Sequence, residues 1–298
     1  GCTDMGTGCD TVMAQIAADC LDTPMDNIVV FGVDTDISPY DSGSYASATT
    51  YTTGMAVMKA CEELKKKICQ VGAEMMGVDA DKVDFDGSYA FYDPGDDTEE
   101  AEEKKVSLEE IALKGTFFNN IELQVVKQHS SPLSPPPFMV GMAEVEVDLE
   151  TGSVEVLDYV GVVDCGTPIN PNLARVQTEG GIAQGLGMAL WEDVQDTEEG
   201  KIRNNSFMQY KIPTRQDIGN IRVDFECSYE KSGPFGAKSI GELVIDTPCP
   251  ALAEAIYNAT GVRLTELPMT PEKVAMGILK NRMEEKKLNS QTEEKESR

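Results

Sequence analysis

The 298-residue sequence predicts an α+β fold in two lobes. Three features lead there. Segments of helical and of strand period are interleaved without a strict strand–helix–strand repeat. Residues 143–164 read as a hairpin, AEVEVD and SVEVLDYVGVVD joined by LETG, with Gly152 at the positive-φ position of the turn. QHSSPLSPPP, 128–137, is an extended, proline-stiffened link. The expected lobes are 1–130 and 131–282, and 283–298 is expected to fray as a flexible tail.

The elements follow in order. Thr11–Leu21 has Val12, Ile16, Ala17 and Cys20 at helical spacing. DNIVVFGVD, 26–34, reads as a buried strand. Ser47 to Lys67 is helical, with the basic run KKK suiting a helix C-terminus. Residues 80–120 are polar and irregular, and DPGDDTEEAEEKK within them reads as a solvated excursion. After the hairpin, NPNLARVQTEGGIAQGLGMAL is a glycine-spotted helix and RVDFEC a strand. TPCPALAEAIYNATG is a helix with Pro248 near its start and Gly261 past its end. TPEKVAMGILKNRMEEKK is a last helix, with Thr270 as N-cap and Pro271 in its first turn.

Composition narrows function. A formal net charge of −27 leaves no Lys/Arg stripe for phosphate backbones or anionic membranes, so neither nucleic acid nor membrane is an expected partner. No apolar run approaches the ~20 residues that span a bilayer, and no export or transit segment stands out. A cytoplasmic setting with reduced, buried thiols is therefore expected for the 8 cysteines. None has Cys-x-x-Cys spacing, and His129 is the only histidine, so redox chemistry must come from a cofactor and no protein metal ligand is expected. The chain opens at Gly1 inside a glycine motif, the start expected of part of a longer product or split subunit.

Four constellations carry chemistry. In GCTDMGTGCDTV, Gly6 and Gly8 let a ligand approach a helix start whose N–H groups suit a phosphate, though as a bare spacing a structural turn is the better explanation. In DSGSYASATTYTTG, Ser44, Ser47, Thr49 and Thr50 offer hydroxyls to phosphate or pterin-like heteroatoms, or form an ordinary capped loop. In VQTEGGIAQGLG, Gln177 and Gln184 lie two turns apart on one helix face, where amides read a heterocycle's edge or accompany packing glycines. In GPFGAKSIGEL, Glu242 follows an apolar Ile-Gly pair and precedes LVI, a sheltered place for an acid. Burial there favours the neutral form and a nearby Lys238 the carboxylate, and a structural Lys–Glu pair is the alternative.

Together and in this order, DMGTG, GSYASATTYTTG, AEVEVDLETGSVEVLDYVGVVDCGTPINP, QTEGGIAQGLG and GPFGAKSIGE with ATGVRLTELPMTPE resemble the molybdenum hydroxylases. These are the xanthine dehydrogenase, aldehyde oxidase and nicotinate dehydrogenase-like enzymes. The resemblance implies the C-terminal part of the molybdopterin-binding subunit. Glu242 then matches the base that deprotonates the metal-bound hydroxyl, beside Gly241. Met5, Gly6, Thr7 and Gly8 match the pterin loop, and Ser44, Ala46, Ser47, Ala48 and Thr49 the second loop. Gln177 matches a glutamine near the pterin, with Gln184 and Lys238 as further contacts.

The sequence departs from the family where Thr7 replaces glutamine, Ala48 replaces arginine, and Leu243 replaces the proline after the base. The family's earlier glycine-phenylalanine-glycine and arginine-glycine loops are absent from these residues. The implied cofactor is molybdenum on molybdopterin, with the cytosine dinucleotide form as one option. Electrons would pass to 2Fe-2S and FAD groups on an iron–sulfur subunit and an FAD subunit, and the remaining molybdopterin-binding segment or subunit is a third partner. The implied substrate is a purine such as xanthine or a related N-heterocycle, with nicotinate or an aldehyde as alternatives. A non-catalytic cofactor-binding or assembly subunit of the same fold is the opposed reading.

Overall fold

The computed structural model describes residues 1–32, 34–94, 104–119 and 121–296. It is α+β, in two compact units whose chain segments interleave. The first holds Gly1–Pro136, Gly166–Asn170 and Ser228–Ser239. The second holds Pro137–Cys165, Pro171–Cys227 and Ile240–Arg298. The proline link thus ends the first long segment, but two short later segments return to it.

In the first unit, helix α1 (Cys9–Leu21) buries Val12, Met13 and Ile16, and α2 (Gly54–Met76) buries Ile68, Val71 and Ala73. Helix α2 runs past the expected end at Lys67 because its apolar stripe continues, and it stops at Gly77, which takes φ 65°. KKK is therefore mid-helix, and Lys65 pairs with Asp22 and Asp84 at 3.0 and 2.9 Å.

The region expected to be irregular holds an antiparallel sheet in the order β1-β2-β3 (Val83–Phe85, Tyr89–Tyr92, Lys105–Ser107) and helix α3 (Leu108–Lys114). Ser107 and Glu110 form a reciprocal capping box on α3. Phe85, Ala90 and Ile111 close the core against α2. The excursion expected at 93–105 lies mostly outside the described residues. Residues 28–32 are not a buried strand: among the described residues no strand pairs with them, and Val29 and Phe31 stand in solvent.

Buried Tyr51 shows why the segment 228–239 belongs here. Its hydroxyl hydrogen bonds with the Oγ atoms of Ser131 and Ser232 at 2.9 and 2.7 Å. No local signal in the sequence announces that pairing.

In the second unit, β4 (Phe138–Val147) and β5 (Val154–Asp164) form the expected hairpin, with Gly152 at φ 74°. Strand β6 (Asn220–Phe225) pairs parallel to β5, and helix α4 (Pro171–Leu190) lies in the crossover between them. Helix α5 (Pro248–Thr260) ends at Gly261, with φ 73°. Helix α6 (Pro271–Glu296) starts where the Lys273 N–H donates to the Thr270 hydroxyl. The stretch from 283, expected as a separate tail, continues this helix to Glu296. The core joins Val156 and Tyr159 of β5 to Ile182 and Leu186 of α4, Leu252 and Ile256 of α5, and Val274 and Ile278 of α6.

Candidate active site

Helix α4 and the turn after Ile240 enclose a cavity of about 310 Å³, lined by Val176, Gln177, Gly180, Gly181, Gln184, Gly241, Glu242 and Ile245. The two glutamines share it because seven residues are nearly two full helical turns. Between them Gly180 has open space where a side chain would start, so the wall between the amides is bare backbone.

Gly181, itself in the lining, and Gly185 hold the turn against α4. A Cβ on Gly181 would meet Val244 Cγ2 at 2.2 Å, and one on Gly185 would meet Pro248 Cγ at 2.6 Å. Val244 is fully buried with Val163 and Cys165 and anchors the short 3₁₀ turn Leu243–Ile245. Glu242 immediately precedes that turn and lies at the cavity. Val176 and Ile245 add apolar wall, which the sequence reading missed because neither carries a recognisable motif. The arrangement offers two amides that donate and accept, a carboxylate, and the apolar side chains of Val176 and Ile245.

One expectation fails. The sequence predicts a sheltered Glu242, yet the residue is exposed in this chain. The apolar neighbours that prompted the reading turn the other way, with Val244 filling the core and leaving Glu242 on the open side.

The other site residues belong to the first unit. Met5, Gly6 and Thr7 are exposed at the loop surface. The N–H groups expected to await an anion already have a partner, Asp4, a residue the sequence reading passed over. Its carboxylate accepts from the N–H groups of Gly6 and Gly8 at 2.8 and 3.2 Å and of Asp10 at 3.3 Å. The Gly6 N–H, foremost among these donors, holds Asp4 below the usual carboxylate range. A phosphate there would share the corner with both Asp4 and Asp10, so what this loop presents outward is Met5, Gly6 and Thr7. Cys9 lies within 4.8 Å of the same two carboxylates, and burial pushes its thiol up to about 12, keeping it neutral.

In the second loop the Thr49 hydroxyl donates to Ser44 Oγ at 2.8 Å. Ala46 and Ser47 take φ 53° and 56°, consecutive left-handed residues without glycine's freedom. Strain of that kind concentrates at ligand-holding loops. Ala48 continues the loop into helical geometry at φ −86°, ψ −4°. Lys238 is buried, and its ammonium donates to the Pro136 carbonyl at 3.4 Å. The motif GPFGAKSIGE is thus divided, Gly233–Ser239 lying in the first unit and Ile240–Glu242 in the second.

Comparison with known proteins identifies the class. The family model described as the molybdopterin cofactor-binding domain matches residues 1–219. The chain is 35% identical over 287 residues to the probable hypoxanthine oxidase XdhD of Escherichia coli K12, covering 94% of this chain and 29% of that protein. It is 31% identical over 278 residues to the putative xanthine dehydrogenase molybdenum-binding subunit XdhA of the same organism, covering 92% and 36%. Among solved structures, the reconstituted CO dehydrogenase from Oligotropha carboxidovorans matches with a TM-score of 0.81 at 25% identity, covering 92% of this chain and 34% of that one. Quinoline 2-oxidoreductase from Pseudomonas putida 86 matches with a TM-score of 0.79 at 25% identity, covering 93% and 36%.

The chain belongs to the molybdopterin cofactor-binding domain family, within the molybdopterin-binding subunits of the molybdenum hydroxylases. It spans about a third of the length of these relatives. No helix among the described residues is long and apolar enough to cross a membrane.

Proposed function

We propose that this chain carries the general base of a molybdenum hydroxylase that oxidises a purine or related N-heterocycle at an electron-poor carbon. The observation that supports it is the shared cavity of Glu242, Gln177 and Gln184. The residues fit the cofactor and a ring-shaped substrate. Gln177 and Gln184 offer paired donors and acceptors across bare backbone at Gly180, which suits a heterocycle edge. On the family resemblance, Met5, Gly6, Thr7, Gly8 and the hydroxyl loop from Ser44 to Thr49, with Lys238, are the first unit's cofactor contacts in this proposal.

When bound, the molybdenum cofactor supplies the two-electron oxidation. With the cofactor bound as two-electron acceptor, Glu242 would accept at a carboxylate oxygen the proton of a water-derived hydroxyl whose oxygen bonds to the substrate carbon, and would pass that proton to water. The electron pair of the broken C–H bond would go to the cofactor. Val176 and Ile245 flank a flat ring, and Gly241 keeps that side clear of a side chain. The electrons leave to 2Fe-2S and FAD groups on partner subunits, the arrangement the family resemblance implies, in a cytoplasmic complex. The cytosine dinucleotide form of the pterin belongs to the same proposal.

The purine reading draws on the similarity to the probable hypoxanthine oxidase XdhD. Oxidation of carbon monoxide or an aldehyde is the second reading, favoured by 28% identity to a carbon monoxide dehydrogenase large chain of Afipia carboxidovorans and 31% to the aldehyde oxidoreductase subunit PaoC of Escherichia coli K12. Glu242→Gln in the assembled, molybdenum-loaded enzyme should lower turnover of the preferred substrate by about 10²–10⁴ with metal content unchanged. Hypoxanthine, xanthine, nicotinate, an aldehyde and carbon monoxide are compared as substrates. Near-normal turnover of the loaded Gln variant removes Glu242 from the role, and turnover of only the last two decides for the second reading.

A further inference from the structure

Ile28–Gly32, IVVFG, is an apolar run that the first unit leaves uncovered. Val29 is 89% exposed and Phe31 61%, while Val30, pointing the opposite way in an extended chain, is 38% exposed. Both faces of the run are therefore apolar, the pattern of a strand inside a sheet covered on both sides. Ile28 has extended backbone angles, φ −107° and ψ 125°. Among the described residues, none hydrogen bonds to the backbone of Val29, Val30, Phe31 or Gly32.

The run is nonetheless held at its ends. The Ile28 N–H donates to the Met25 carbonyl at 3.0 Å, and a Cβ on Gly32 would stand 2.6 Å from the Cys2 carbonyl oxygen. A β-branched and aromatic segment with unpaired N–H and C=O groups is an open template for another strand.

We propose that Ile28–Gly32 pairs with a strand of the polypeptide that makes up the other two-thirds of the relatives' molybdenum-binding subunit. This rests on the reading of the chain as part of such a subunit. Two observations choose that occupant. The relatives carry about twice as much further chain as the part matched here, which supplies both the strand and apolar layers to cover each face. A second copy is disfavoured by charge. An antiparallel self-pair centred on Val30 would set Asp26 opposite Asp34 at both ends, and directly opposed like charges destabilise a ladder. The partner strand is accordingly apolar at its centre and basic where it meets Asp26, Asp34 and Asp36. Main-chain bonding would give the affinity and the alternate side chains the register.

Amide hydrogen exchange of the 298-residue chain, alone and in complex with that polypeptide, tests this. Exchange at residues 29–32 should slow at least tenfold in the complex. Phe31→Asp and Val29→Asp should leave the thermal midpoint of the chain alone unchanged, because both side chains are already in water, and weaken the complex at least tenfold. Equal exchange in both states, undiminished binding by Phe31→Asp, no complex at all, or protection that appears on concentrating the chain alone would each overturn the proposal. Turnover is read separately. A Glu242→Gln complex that stays active while 29–32 stay protected refutes the catalytic assignment and leaves the strand pairing standing.

Discussion

The contact between Gly181 and Val244 decides where Glu242 stands, and Gly181→Ala tests it. Replacing glycine by alanine inside a helix ordinarily stabilises by about 1 kcal/mol. Here the added carbon would lie 2.2 Å from Val244 Cγ2, 3.0 Å from its Cβ and 3.2 Å from its carbonyl carbon. No rotamer of Val244 relieves the last two contacts, so the turn must move. Overpacking of this kind costs about 1–3 kcal/mol, and three contacts place it at the upper end. The expected net loss is about 1–2 kcal/mol, a fall of roughly 2–4 °C in the unit's thermal midpoint for each kcal/mol.

Val244→Ala alone removes two buried methyl groups, worth about 1.6 kcal/mol at roughly 0.8 each. In the double variant the alanine at 181 occupies the space that Cγ2 vacated, so the losses should fall short of additivity by about 1 kcal/mol. Urea denaturation of all four proteins measures the coupling. Turnover of the loaded Gly181→Ala enzyme should drop about 10²-fold, the effect of an ångström-scale misplacement of a reacting group. Losses that add within about 0.5 kcal/mol, or a Gly181→Ala chain more stable than the parent, would show that the turn is not seated by this contact.

Asp4→Ala should loosen the loop before α1, because it removes the acceptor for the Gly6, Gly8 and Asp10 N–H groups. The expected loss is about 1 kcal/mol, as for other capping side chains, and exchange of the 6–10 amides should speed up. The same loop should respond to acid. Asp4 is held low in the folded chain, so its contribution is complete above the unfolded value near about 3.9. It is lost as pH falls through the lower folded value, and protection of those amides should follow that course. Tyr51→Phe should destabilise the first unit by about 1–2 kcal/mol and open 228–239 to limited proteolysis, since the hydroxyl bonds Ser131 and Ser232. An unchanged cleavage pattern would show that other contacts hold that segment.

Much of the second unit was legible because its elements are long and periodic. Helix α4 reads as a glycine-spotted helical stretch, α5 and α6 announce themselves by Pro248, Gly261 and Thr270, and the β4–β5 hairpin by its alternation and Gly152. The β1–β3 sheet was not legible, since strands of three or four residues give too few alternations to distinguish from loop. The run at 28–32 carries the right composition for a strand, but composition cannot say whether the pairing partner lies in the same chain. KKK misled because a charged run on the solvent side of a helix looks like its end. At the site, the spacing of Gln177 and Gln184 made legible only that they share a helix face, and they do line one cavity. The exposure of Glu242 was not, because its apolar neighbours give the same sequence signal whether the acid points with them or away.

That exposure bears directly on the proposed chemistry. A carboxylate serves best as a proton acceptor in a redox step when water is excluded and substrate is held against it. In the second unit, α4 and the 240–245 turn wall off the inner side of the cavity, and the glycines at 181 and 185 bring those walls together as closely as backbone allows. Nothing in the lining residues closes the side on which Glu242 lies. Since about two-thirds of each relative lies outside the matched part, the cover over this acid, on the proposed reading, comes from that further polypeptide and the bound cofactor. The chain by itself would then hold the base at a fixed position without the water exclusion that makes it effective. Turnover should therefore require the complete complex even when the 298 residues are fully folded, and a chain that turned over substrate with cofactor alone would refute this division of labour.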